Sequence, residues 1–80
     1  MIVVNFKTYA SASGEAAETL LAAMEAHADG PATLVAVASA FDLATLAHQA
    51  TNVDVWAQHL DPVGQGSFTG WLEPQTALHR

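Results

Sequence analysis

The chain has 80 residues, 51% of them hydrophobic, no cysteine and a formal net charge of −6. That composition is globular rather than disordered, and without thiols it holds neither disulfides nor a thiolate metal site. Lys7 and Arg80 are the only lysine or arginine residues, so docking to nucleic-acid phosphates or to anionic lipid is disfavoured.

Residues 2–9 begin as an apolar, β-branched run, the pattern of a strand covered on both faces in a parallel sheet. Ser11, Ser13 and Gly14 mark a loop, with Ser13 as candidate N-cap and Glu15 and Glu18 in the first turns beyond it. Ala16, Ala17, Leu20, Leu21, Met24 and Ala28 form one apolar stripe at helical spacing, and Gly30-Pro31 stops the helix. Glu15, Glu18, Glu25 and Asp29 read as its solvated face. A second strand is expected over 33–38, slim at Ala36 and Ala38. Asp42 is a candidate cap for a shorter helix over 43–50, with Leu43, Leu46, Ala47 and Ala50 inward. A third strand is expected over 53–58, then a polar, glycine-rich stretch over 59–70. Glu73-Pro74 opens a last helix, proline being tolerated in the first turn.

This order is β-α-β-α-β, a long loop, then a helix: an α/β chain with a parallel sheet and helical crossovers. Residues 1–80 read as one unit with no second domain. Three parallel strands leave two open sheet edges, and 80 residues bury a small share of their surface. The chain is therefore expected to be part of a larger fold, or to depend on another copy. No apolar run approaches the ~20 residues of a membrane span, and Met1 to Val4 is too short for a signal peptide. A cytoplasmic location is expected, with no membrane or nucleic-acid partner.

Parallel α/β folds bind ligands at the C-terminal ends of their strands. Asn5-Phe6-Lys7 lies at such an end. Residues two apart on a strand share a face, which would set Asn5 beside Lys7 and turn Phe6 the other way. An ammonium next to a carboxamide suits a phosphorylated substrate: the lysine offsets a dianion or developing oxyanion, and the asparagine positions by hydrogen bonds. The plainer alternative is a lysine snorkelling from a strand end, but Lys7 is the only lysine in the chain. Ala57-Gln58-His59 ends the third strand, where Gln58 can brace Asn5 or Lys7 from the neighbouring strand. The loop beyond exceeds the ~2–6 residues of most βα connections, and Phe68 within it calls for burial against a partner. There is no GxGxxG, Walker lysine or GxSxG, and the four histidines lack metal spacing.

These segments resemble the triosephosphate isomerases, particularly the shorter archaeal type. Asn5-Phe6-Lys7-Thr8-Tyr9 is similar to the Asn-x-Lys segment that closes the family's first strand. Ala57-Gln58-His59 with Asp61-Pro62 is similar to its third strand and exit. Ser67-Phe68-Thr69-Gly70 is similar to its intersubunit loop. Asn-x-Lys alone is a weak pattern; the three in order across nearly all 80 residues are specific.

The resemblance implies the first three strands of a (β/α)₈ barrel, plus the start of the next helix. The family interconverts dihydroxyacetone phosphate and glyceraldehyde 3-phosphate, a step of glycolysis and gluconeogenesis, by proton transfer through an enediolate, without cofactor or metal. A glutamate base and a neutral histidine do this in the family, under a loop that excludes water, and these are the family's known features rather than readings of this chain. By resemblance Lys7 is the electrostatic catalytic residue, Asn5 and Lys7 bind the phosphorylated triose, and Gln58 lies behind them. Phe68, Thr69 and Gly70 belong to the loop that reaches a neighbouring subunit in a homodimer or homotetramer. The histidine, the glutamate, the lid and the later phosphate-binding glycines are expected outside these residues, and His59 is not that histidine. Trp71 departs from the glutamate that many relatives carry after Thr-Gly. The competing hypothesis is a non-catalytic barrel fragment that self-associates or binds phosphate weakly.

Overall fold

The computed structural model describes residues 1–62, 64–67, 69–70 and 72–78. Three strands, β1 (Ile2–Asn5), β2 (Leu34–Ala38) and β3 (Asp54–Ala57), form one parallel sheet in the order β1-β2-β3. Helix α1 (Glu15–Ala26) connects the first pair and α2 (Leu43–Gln49) the second, and α3 (Pro74–Leu78) follows the long loop. A single 3₁₀ turn, Ala10–Ala12, precedes α1. The alternation of strand and helix patterns thus yields the parallel α/β arrangement that short-range periodicity demands.

The register separates the sheet into two faces. Val4 pairs with Ala36 and Ala36 with Val55, so these side chains share a face, joined by Phe6 and Ala38. Phe6, Ala36 and Ala38 are buried there with Ala17, Leu21 and Met24 of α1, Leu46 of α2 and Val53. The two alanines of β2 are fully buried in this cluster, which also draws residues from both helices. Leu21 and Met24 lie three apart and Ala17 and Leu21 four apart, so one stripe of α1 supplies its whole share of the core.

On the other face, Val3 pairs with Val35 and Val37 with Trp56. Val3 is 48% exposed and Trp56 46%. The expectation of a first strand covered on both faces is therefore corrected. β1 is an edge strand whose inner face no element of the described residues covers, and it ends at Asn5.

The caps also differ from expectation. Gly14, with φ 62, is the N-cap of α1, while Ser13 donates its hydroxyl to the Tyr9 carbonyl. Asp42 precedes α2, and its carbonyl accepts from Leu46 N, but its carboxylate makes no capping bond. It accepts instead from Gly14 N at 3.2 Å and from Ser39 Oγ at 3.4 Å. The Asp42 side chain is thus spent on tying the β2–α2 turn to the start of α1. α1 stops at Ala26, before Gly30-Pro31, where His27 N turns back to Met24 O at 3.0 Å and tightens the last turn.

The acidic face of α1 is not only a solvated one. Glu18 accepts from Gln49 Nε2 at 2.5 Å. Glu25 accepts from the Thr51 hydroxyl and from Asn52 N and Val53 N, the latter at 2.5 Å. These bonds hold the Glu25 carboxyl below its ordinary range, the Thr51 hydroxyl contributing most. Glu25 thereby fixes the turn that delivers β3.

Candidate active site

Asn5, Lys7 and Gln58 lie at the C-terminal end of the sheet. The ladder runs one residue past β1, with Phe6 N donating to Val37 O at 3.0 Å. Lys7 then adopts φ 54, and it is the one non-glycine residue with positive φ among those described. A side chain in this region costs roughly 1–2 kcal/mol. The turn persists because Asn5 Oδ1 accepts Lys7 N at 2.9 Å, a bond that asparagine makes readily to its own backbone two residues on. The strand pleat, expected to set Asn5 beside Lys7, has ended by this point, and an asparagine-closed turn brings them together instead.

Gln58 completes the arrangement from β3. Its backbone N continues the ladder to Ala38 O at 3.0 Å. Its side-chain amide crosses the end of β2 and donates to Lys7 O at 3.0 Å, with Val37 O at 3.4 Å and Asn5 Oδ1 at 3.5 Å. One NH₂ group thus touches both the residue that closes the turn and the carbonyl of the turn itself. Asn5 and Lys7 are exposed, while Phe6 between them is 1% exposed. Phe6 acts as an anchor in the helix-side core, so the two polar residues stand on a rigid base.

The long loop leaves the same end. Asp61 N donates to Leu72 O at 2.8 Å, and Leu72 N donates to Asp61 Oδ2 at 2.7 Å. His59 Nε2 donates to Asp61 Oδ1 at 3.0 Å. Leu72 N and then His59 hold the Asp61 carboxyl below its ordinary range. Thr69 and Gly70 are exposed, and Gly70 has φ 78, a conformation suited to glycine. Phe68, expected in the same loop, lies outside the described residues, as does Trp71.

Asp42, expected as a cap, and Glu25, expected on a solvated face, each tether a distant turn instead, Asp42 to Gly14 and Glu25 to Val53. Local pattern does not show these partners, because Gly14 and Val53 lie 28 residues from Asp42 and Glu25 along the chain. An apolar cleft of about 230 Å³ lies between α2 and α3, lined by Leu43, Leu60, Leu72 and Ala77 among others, away from Asn5 and Lys7. The described residues hold no group of three or more His, Asp or Glu side chains fit for a metal ion. No helix among them is long and apolar enough to cross a membrane.

Comparison with known proteins gives the same family at every turn. The family profile described as triosephosphate isomerase matches residues 1–79. A triosephosphate isomerase of Methanococcoides burtonii is 41% identical over 71 residues, covering 88% of this chain and 32% of that protein. One from Archaeoglobus fulgidus is 38% identical over 71 residues, 88% of this chain and 31% of the relative. One from Methanosarcina barkeri is 37% identical over 70 residues, 86% and 31%. The chain spans about a third of the length of the curated relatives it matches. Its three parallel strands and their helices are consistent with the N-terminal part of a (β/α)₈ barrel. With a match along almost all of its length, the chain belongs to the triosephosphate isomerase family.

Proposed function

We infer that these residues form one wall of the active site of a triosephosphate isomerase, which interconverts dihydroxyacetone phosphate and glyceraldehyde 3-phosphate. The observation that carries this is the Asn5–Lys7 turn, pinned by Gln58 at the C-terminal end of the sheet. Lys7 offsets the charge of the phosphorylated triose and of the enediolate, since a fixed cation is most effective where negative charge develops. Asn5 positions the substrate and closes the turn. Gln58 acts behind both, holding the Lys7 carbonyl so that the left-handed turn does not relax. Asn5 and Lys7 bind and stabilise but do not shuttle the proton; the acid and base come from other parts of the barrel.

The chain works in a homodimer or homotetramer in the cytoplasm, with Thr69 and Gly70 of the long loop reaching a second subunit. Phe41, 98% exposed, and Tyr9, 61% exposed, flank the site on the loops after β2 and β1. Apolar rings left in water at this end support burial by a second copy.

The test is an isomerase assay on these residues joined to the remaining β/α units of the Methanococcoides burtonii relative. Lys7→Ala is expected to lower kcat/KM by about 10²–10³-fold, the range seen when one oxyanion-stabilising donor is lost. An undiminished rate would remove Lys7 from the catalytic site.

A further inference from the structure

We propose that Asp61 is a positioning residue, a clasp that joins the two arms of the long loop and through its near arm holds Gln58 on the Lys7 turn. This rests on the reading of Asn5, Lys7 and Gln58 as the site.

Asp61 and Leu72 are eleven positions apart, yet they are joined by a closed ring of two hydrogen bonds. Asp61 donates its N–H to the Leu72 carbonyl, and its own carboxylate takes the Leu72 N–H. A carboxylate that accepts a backbone N–H makes a stronger bond than a neutral acceptor. The second carboxylate oxygen takes His59 Nε2, so the residue on the loop side of Gln58 is held as well. The run from Gln58 to Asp61 is therefore tied at both ends, to Lys7 O by the Gln58 amide and to Leu72 by Asp61.

The far arm gains from the same clasp. Leu72 is fixed through both its N–H and its carbonyl. It also precedes α3, whose first turn is closed by Glu73, accepting from Gln75 N at 2.9 Å and Thr76 N at 2.6 Å. A fixed Leu72 thus places the start of α3 relative to the sheet, and a loop with free arms would lose that placement to chain entropy.

The test is nuclear magnetic resonance of this chain without ligand. Two signals are read: hydrogen exchange at the Leu72 amide, which reports the clasp, and the Gln58 side-chain amide resonances, which report its effect on the site. In Asp61→Ala, Leu72 exchange is expected to rise about tenfold or more, as for loss of a charged hydrogen bond. The Gln58 resonances should move toward those of a solvated amide, while α1 amides keep their protection. Asp61→Asn keeps an oxygen for Leu72 and should restore part of both signals. His59→Gln should move the Gln58 signals less than Asp61→Ala does. If Asp61→Ala also strips protection from α1, Asp61→Asn and His59→Gln carry the test in its place. Leu72 exchange within about twofold of the parent in Asp61→Ala overturns the clasp, as do unmoved Gln58 signals. Both readouts are ligand-free, so a failure to bind phosphate would count against the proposed function and not against the clasp.

Discussion

The two faces of the sheet are finished to different degrees. On the helix side Phe6, Ala36, Ala38 and Val53 meet α1 and α2 in a closed apolar core. On the other side Val35 of the central strand is buried, but Val3 and Trp56 stand about half exposed. The same three strands supply both faces, so composition does not explain the contrast; coverage does. Helices close the outer face as each βα unit forms, but an inner barrel face closes only when strands from the rest of a barrel come round. Asn5, Lys7 and Gln58 sit at the rim of that unfinished side. The candidate site therefore borrows its rigidity from the finished core through Phe6 and from hydrogen bonds along the rim.

The largest test of this contrast is Phe6→Ala. Removing a fully buried ring costs about 3–5 kcal/mol, enough to unfold so small a chain. Trp56→Ala removes a larger ring from the open face and is expected to cost only about 1 kcal/mol. Chemical denaturation of the two variants settles the comparison. Equal losses would mean that the inner face is as well packed as the outer one.

Lys7→Gly probes the rim. Glycine takes φ 54 without steric penalty, so stability should rise by about 0.5–1 kcal/mol while the site loses its cation. A fall in stability would mean that Lys7 contributes packing not seen in its exposed position.

The smallest effect is a slope against pH on the finished side. Glu25 has its carboxyl held below the ordinary 4.5 by the Thr51 hydroxyl and by Asn52 and Val53 N–H groups. A lowered value in the folded state contributes stability that is complete above 4.5 and is lost as pH falls through the folded value. Asp61 adds a similar loss below its ordinary 3.8. Glu25→Gln should flatten part of the acid limb of the stability curve. An unchanged limb would mean that the tether from α1 to β3 holds without its charge.

Strand and helix order was legible because periodicity is local: the stripe of Ala17, Leu21 and Met24 and the slim β2 follow from sequence spacing alone. The Asn5-Phe6-Lys7 triplet was legible in the sequence because a single lysine beside an asparagine at a strand end is scarce, and the structure places it at the C-terminal end of β1. The way Asn5 and Lys7 meet was not, since a positive φ at lysine depends on Asn5 Oδ1 and on Gln58 arriving from a strand fifty residues later. Asp42 illustrates the same limit. Its position before α2 fits a cap, but Gly14 N, brought close only by folding, takes its carboxylate. Long-range competition for one side chain leaves no trace in local pattern.

The most direct test of the central claim is a nuclear magnetic resonance titration of this chain with glycerol 3-phosphate, a phosphorylated three-carbon ligand. The account predicts shifts centred on Asn5, Lys7 and the Gln58 side-chain amide, weak because one wall alone binds, and absent in Lys7→Ala. Shifts centred elsewhere, no shifts at all, or the same shifts in Lys7→Ala would contradict it.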